Sequence, residues 1–177
     1  MRLVFVTMVI AGLVVGCTTH RAPSADDGNQ TEKSNKDMKK TMPQGRLLTV
    51  SYNYQGMRME AIRNKELTRK DGAPTIKFEY MGDERQYAVS DTLFDVARAI
   101  IDEEQMYNYG THYSVDSRFQ VLDGYSWSFD AAFEGDGRIS SGGSNSEPGG
   151  EGLNRINKLL FDTAVQCLKD AGEEVPW

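Results

Sequence analysis

The sequence contains few cysteines and few histidines, with two of each among its 177 residues. Two cysteines are too few for the disulfide framework of a small secreted scaffold. The chain also lacks a block of basic residues, and its formal net charge is −6 at pH 7. Because basic residues that neutralise phosphates supply most nucleic-acid affinity, we expect no nucleic-acid partner. The glycines do not form a nucleotide-binding motif, so we expect no cofactor.

Long apolar runs are scarce as well, and the one that is present covers residues 3–15, directly after Met1 and Arg2. A helix that spans a bilayer needs about 20 apolar residues, so this run is too short for a standard transmembrane helix. A positive start followed by a short apolar run is typical of a secretory signal peptide. We therefore interpret residues 1–16 as a signal peptide.

The apolar run ends in Val14-Val15-Gly16-Cys17, which resembles the lipobox of bacterial lipoproteins. The resemblance implies cleavage after Gly16 and acylation of Cys17 on its sulfur and on the new amino terminus. Three acyl chains exceed the two signals that stable membrane anchoring requires. We therefore expect a lipid anchor in the cell envelope, and Thr18 in place of Asp favours the outer membrane. A plain signal peptide or N-terminal anchor with an incidental cysteine is the alternative.

The chain after the lipobox divides into a tether, one domain and a tail. Residues 17–45 carry almost no large apolar side chain, and such a segment cannot bury enough surface to fold. We interpret them as the lipidated cysteine and a flexible tether. Residues 46–172 are predicted to form a single domain, followed by a short tail over residues 173–177.

Hydrophobic patterning predicts a domain of the α+β class. Alternation of apolar and polar residues predicts strands over 48–54, 57–61, 76–80, 87–89, 119–121, 125–133 and 138–141. Apolar residues at helical spacing predict helices over 93–101 and 153–171. The order is ββββ-α-βββ-α. Because each strand alternates, we predict a two-layer domain with an antiparallel sheet, both amphipathic helices on one face and water on the other.

Turn residues around one tryptophan form a recurrent pattern in the second half of the chain. The pattern consists of Asp123-Gly124, Trp127, Asp136-Gly137, Gly142-Gly143-Ser144-Asn145 and Pro148. It is similar to a group of small uncharacterised lipoproteins from Bacteroides-type bacteria. These proteins pair a lipobox and tether with such a segment before a C-terminal helix. The resemblance implies a location at the membrane and a fold, but it implies no enzymatic reaction.

Candidate binding residues lie between the first helix and the last strands. Tyr107, Tyr109 and Tyr113 occur in an irregular segment, where exposed aromatic rings stack on sugars or anchor protein partners. His112 lies among them, and Asn145 follows in a Gly/Ser loop predicted over 142–152. Packing is the alternative for the tyrosines, and a shape-setting role is the alternative for Asn145.

His112 is also the one histidine of the predicted domain, so any histidine-dependent chemistry must use it. A hydrolase would combine His112 with Asp116 and a serine, although the GxSxG motif is missing. A metal site of His112, Asp116, Glu103 and Glu104 lacks a recognisable ligand spacing, so we expect no metal. An ordinary loop histidine is the alternative.

Cys167 is the second cysteine, and it lies on the apolar stripe of the last helix. A free cysteine in that position behaves as a small hydrophobic residue, and we expect it to be buried.

These observations favour a non-enzymatic binding or accessory lipoprotein, tethered to the membrane through Cys17, with an envelope protein or a glycan as its partner. The water-facing side of the sheet and the segment 107–113 are the expected binding surfaces. A small envelope hydrolase that uses His112 and an inhibitor or immunity-type lipoprotein are the alternatives.

Overall fold

The computed structural model describes residues 40–56, 60–69, 72–115 and 124–175. Within these ranges the chain forms the strands β1 (Leu47–Gln55), β2 (Ile62–Thr68), β3 (Thr75–Tyr80), β4 (Asp83–Ala88), β5 (His112–Ser114), β6 (Ser126–Phe133) and β7 (Arg138–Ser144). The α-helices are α1 (Thr92–Glu103) and α2 (Gly152–Asp170), and two short 3-10 helices cover Met106–Asn108 and Glu134–Asp136. None of these helices is long and apolar enough to cross a membrane.

The strands form one seven-stranded sheet in the order β4-β3-β2-β1-β6-β7-β5. All neighbours are antiparallel except β5, which pairs in parallel with β7. The predicted α+β class and the meander of the first four strands are confirmed. The predicted sheet is fully antiparallel, whereas the edge strand β5 is parallel to β7. The chain reaches this edge through α1, which crosses from the edge at β4 to the opposite edge. The strand predicted over 119–121 lies outside the described residues.

One face of the sheet carries the core. Val50 is fully buried and pairs with Leu67 of β2 on one side and Ala131 of β6 on the other. The two helices cover these residues with side chains that are themselves fully buried, namely Phe94, Ala97 and Ile101 of α1 and Ile156, Leu160 and Ala164 of α2. Each large apolar side chain buried in this way contributes about 1.5–3 kcal/mol. The helix-covered face therefore stabilises the domain, and neither of the described α-helices covers the opposite face, which we call the open face.

The second strand is displaced from its predicted place. The alternation over residues 57–61 predicts a strand there, but β2 begins at Ile62, and residues 57–59 lie outside the described part of the chain. The register of β2 against β3 shifts between Arg63 and Glu66, where Asn64 adopts a left-handed φ of 52°. Such a bulge breaks the period of two on which the sequence prediction depends.

The charged side chain of Lys65 faces the core together with Leu67, and the bulge brings Ile62 onto the same face. Lys65 is 1% exposed and pairs across the sheet with Tyr52. Its Nζ donates to Glu60 Oε2 at 3.3 Å and to the carbonyl oxygen of Ile62 at 3.4 Å. Burial lowers the pKa of Lys65, and the nearby carboxylate of Glu60 opposes that shift only in part.

The segment before β1 lies against the domain. Met42 packs against the core, although residues 40–45 carry the composition of the predicted tether. Arg98 of α1 donates to the carbonyl oxygen of Gly45, and Arg46 N donates to Glu134 Oε2. The chain therefore enters the domain beside the start of β7.

The segment after α2 also contacts the sheet, although residues 173–177 are predicted to be a tail. The Tyr80 hydroxyl donates to the carbonyl oxygen of Glu174 at 2.6 Å. The Tyr87 hydroxyl and the Arg85 guanidinium both donate to Glu173 Oε1, at 3.2 and 3.3 Å. These bonds hold residues 173–175 against β3 and β4.

The substitution Lys65→Met tests the cost of the buried ammonium group. We expect it to raise the free energy of unfolding at pH 7 by about 1 kcal/mol, because a buried charge is replaced by an apolar chain of similar length. The folded-state pKa of Lys65 lies below its ordinary value of 10.5, so the unfolded state binds more protons between those two values. Wild-type stability therefore rises with pH through that window, and the advantage of the variant shrinks.

Urea denaturation at pH 7 and near pH 10 measures both effects. Lys77→Met on the open face is the matched control, and we expect it to be neutral. A Lys65→Met variant that is clearly less stable than the control at pH 7 would contradict the account.

Candidate functional site

The open face of the sheet has two halves of different composition. On β2, β3 and β4 it carries long polar and charged side chains, namely Glu66, Lys77, Glu79, Glu84 and Gln86. On β1, β6, β7 and β5 the open face carries mostly short polar side chains. The register aligns them in rows, namely Gln55–Ser126–Ser144–Ser114, Asn53–Ser128–Gly142–His112, Ser51–Asp130–Ser140 and Thr49–Ala132–Arg138. We call the surface formed by these four rows the serine face.

The geometry of the serine face follows from the sheet itself. Neighbouring strands lie about 4.8 Å apart, and residues two apart on one strand lie about 6.8 Å apart on the same face. Arg138 Nη2 binds Asp130 Oδ1 at 2.8 Å, so the two opposite charges of the face lie in one ion pair. The remaining side chains are mostly hydroxyls and amides, which both donate and accept hydrogen bonds. The serine face is therefore a nearly neutral, polar surface.

His112 is exposed at the outer end of one row of the serine face. Gly142 has no side chain and separates it from Ser128 in the register. Among the described residues, the His112 side chain has no hydrogen-bond or ion-pair partner, and Asp116 lies outside those residues. The described part of the chain therefore supplies no catalytic partner for His112.

The carboxylates considered as metal ligands bind a cation of the protein instead. Arg155 of α2 binds Glu103 at 2.8 Å and Glu104 at 2.7 Å, which ties α2 to the end of α1. Across the described ranges, no group of three or more His, Cys, Asp or Glu side chains is placed to hold a metal ion.

The expected exposure of Tyr109 is wrong, because its side chain is 7% exposed. A Cβ on Gly152 would lie 2.5 Å from the Tyr109 hydroxyl, so the start of α2 packs directly on this ring. Burial, together with the charge of Glu104, raises the pKa of Tyr109 to about 12. Tyr109 therefore packs between the 3-10 helix and α2.

The other two tyrosines of that segment are half-buried. The Tyr113 ring lies 5.9 Å from the Trp127 ring, and its hydroxyl accepts a hydrogen bond from Gly110 N at 2.8 Å. Tyr107 lines a surface groove, described below. Of the three tyrosines, Tyr107 is the one that the structure places at a concave surface.

Asn145 and the glycines before it build the corner where β7 ends beside the start of β6. The loop predicted from residue 142 starts later, because β7 continues to Ser144. Asn145 adopts a left-handed φ of 55°, and its Oδ1 accepts from Tyr125 N at 2.8 Å. Trp127 Nε1 donates to the carbonyl oxygen of Ser146 at 2.7 Å. Asn145 therefore has a structural role in this corner.

Gly143 makes the corner sterically feasible. A Cβ at this position would lie 2.6 Å from the carbonyl oxygen of Ser146 and 2.7 Å from Trp127 Nε1. Of the pattern noted in the sequence, Gly124, Trp127, Gly143 and Asn145 meet at this corner, whereas Asp136 and Gly137 lie at the opposite end of β6 and β7. The contacts at the corner explain these four residue types without reference to a ligand.

Cys167 is half-buried on α2 rather than fully buried. Burial, with a smaller contribution from Asp170, raises the pKa of the Cys167 thiol. A raised pKa leaves less of the reactive thiolate at neutral pH, so the position has no feature of an activated cysteine.

A groove of about 510 Å³ runs along the outer edge of the first half of β7, and we call it the edge groove. Its lining residues are Lys40, Thr41, Pro43, Tyr107, Thr111, Arg138, Ile139 and Ser140. Lys40 Nζ donates to the carbonyl oxygen of Tyr109 at 2.9 Å, which closes one end of the groove. No sequence signal links these residues, because only the parallel pairing of β5 and β7 brings the three segments together.

The pair Gly143→Ala and Gly149→Ala tests the corner. A Cβ at Gly143 meets a backbone carbonyl and a buried ring, whereas a Cβ at Gly149 has no atom within 4 Å. We expect Gly143→Ala to lower the free energy of unfolding by about 2–3 kcal/mol through overpacking. Gly149→Ala is the control, and its effect is expected to stay within about 0.5 kcal/mol. Chemical denaturation measures both, and equal stabilities would contradict the account of the corner.

The comparisons with known proteins give no relative for this chain. No family model, curated protein or solved structure matches it. The fold and the two surfaces, the serine face and the edge groove, are therefore the basis for any statement about function.

Proposed function

We propose that the protein is a non-enzymatic binding module of the cell envelope, held at the membrane by acyl chains on Cys17. The proposal for the anchor is supported by the lipobox Val14-Val15-Gly16-Cys17 and by the short apolar run before it. The proposal for binding is supported by one observation, the serine face. Its partner is a polar surface of the envelope, either a protein or a glycan.

The serine face differs from an ordinary water-facing surface, and the same sheet provides the comparison. The open face of β2, β3 and β4 carries long charged side chains such as Glu66 and Lys77. Immobilising a long side chain costs about 1.5–2 kcal/mol, whereas short hydroxyl side chains lose much less freedom. A partner therefore approaches the serine face closely without ordering long side chains or stripping water from unpaired charges.

A binding role is better supported than hydrolysis. A hydrolase requires His112 to contact both a hydroxyl and a carboxylate, and the described residues place neither in hydrogen-bond contact with it. The serine face requires no such constellation, since hydrogen-bond groups spread over a surface are sufficient for recognition.

The two cysteines provide a matched test of the anchor. In cells fed a labelled palmitate analogue, we expect wild type and Cys167→Ser to take up the label and enter the detergent phase on phase separation. Cys17→Ser is expected to do neither, because the acylated sulfur is lost. A labelled Cys17→Ser protein, or an unlabelled wild type, would show that Cys17 is not the anchor.

Two arginine substitutions test the serine face. Ser128→Arg places a long cation in the middle of it, and Gln86→Arg places the same side chain on the other half of the open face. We expect Ser128→Arg to reduce retention of the partner by about tenfold or more, since an unpaired charge in an interface costs at least about 1.4 kcal/mol. Gln86→Arg is expected to behave as wild type.

Retention is measured in two ways, by crosslinked pull-down from the native membranes and by co-sedimentation with isolated cell-wall material. Circular dichroism confirms that both variants are folded. If neither assay separates Ser128→Arg from Gln86→Arg, the serine face is not the binding surface.

A further inference from the structure

The outer edge of β7 is only half covered. β5 pairs with Gly142, Gly143 and Ser144, and the earlier residues of β7 have no strand beside them on that side within the described chain. An uncovered edge presents free backbone donors and acceptors, which are a template for another strand. The edge groove lies along this uncovered stretch.

The backbone groups that face the groove are identified by the pairing beside it. Gly142 N donates to the carbonyl oxygen of Thr111 at 3.2 Å, so Gly142 directs its backbone towards the β5 side. Alternate residues of a strand direct their N–H and C=O groups to the same side. Ser140 and Arg138 therefore point their backbone groups into the edge groove, and among the described residues these groups have no backbone partner.

The walls of the groove provide room and chemistry for an added chain. Pro43 and Thr41 from the segment before β1, and Tyr107 and Thr111 from the segment before β5, line the groove. The lining contains the two cations Lys40 and Arg138 and no carboxylate. Arg138 is neutralised by Asp130, whereas Lys40 donates, among the described residues, only to a carbonyl group, so the described lining keeps a positive charge.

We propose that the edge groove binds an extended acidic peptide segment of a partner protein, which adds to β7 as a strand in line with β5. The backbone of the peptide pairs with the N–H and C=O groups of Ser140 and Arg138. Its Asp or Glu side chains lie near the ammonium group of Lys40, and its apolar side chains pack on the Tyr107 ring. This site shares Arg138 and Ser140 with the serine face but uses their outward backbone groups, so the proposal is tested independently of the serine face.

Two substitutions at one residue separate backbone pairing from side-chain contact. Ser140→Pro removes the N–H that faces the groove, and proline is tolerated where that N–H is not part of the sheet ladder. Ser140→Ala removes only the hydroxyl. The probe is a fluorescein-labelled peptide of alternating Glu and Val, titrated into the full-length protein in detergent micelles and followed by fluorescence anisotropy.

We expect the Glu-Val peptide to bind wild type and Ser140→Ala within about twofold of each other, and Ser140→Pro about tenfold more weakly, because one backbone hydrogen bond is lost. Lys40→Glu is a second variant that leaves β7 intact. It is expected to weaken the Glu-Val peptide and to strengthen a matching Lys-Val peptide. Circular dichroism checks that each variant is folded.

Three results would overturn the proposal. The first is no binding of the Glu-Val peptide to wild type. The second is equal binding to the folded Ser140→Pro variant. The third is a wild-type dimer, seen by light scattering, that Ser140→Pro dissociates, since a second copy would then occupy the edge.

Discussion

The pairing of β1 with β6 joins the two halves of the domain, and the rest of the structure depends on it. The two strands are distant in sequence but pair from Leu47 with Phe133 to Gln55 with Ser126. On one side of the sheet this pairing places Val50 beside Ala131 under the helices. On the other side it places Ser51 beside Asp130 and thereby forms the middle of the serine face. A single set of backbone hydrogen bonds therefore determines both the core and the proposed binding surface.

The turn residues and the tryptophan that stand out in the sequence have structural roles. Trp127 binds the carbonyl oxygen of Ser146, Gly143 leaves space for that contact, and Asn145 closes the corner. These residues are informative about fold because they meet where β7 ends beside the start of β6. Function depends instead on the inconspicuous serines and on the uncovered edge of β7, which have no distinctive spacing in the sequence.

Hydrophobic patterning predicts the strands correctly where the strand pairing is regular. It misplaces them where a bulge interrupts the pairing. The unbroken alternation of β6 was read correctly because each residue has one partner on either side. The prediction of β2 is displaced because the bulge at Asn64 puts Ile62 and Lys65, three residues apart, on the same face, and because the buried Lys65 gives no apolar signal. Packing was the alternative for all three tyrosines, and the sequence does not show that it applies to Tyr109, since its burial depends on the distant Gly152. The edge groove likewise requires knowledge of strand order, and only part of the candidate site was visible in the sequence.

The serine face as the contact surface is the central claim, and site-specific photo-crosslinking in living cells tests it most directly. A photoreactive phenylalanine analogue replaces Ser51 in one strain and Lys77 in another, on the two halves of the same open face. The account predicts a discrete adduct from position 51 and none from position 77. Adducts from position 77 alone, or from neither position, would contradict it.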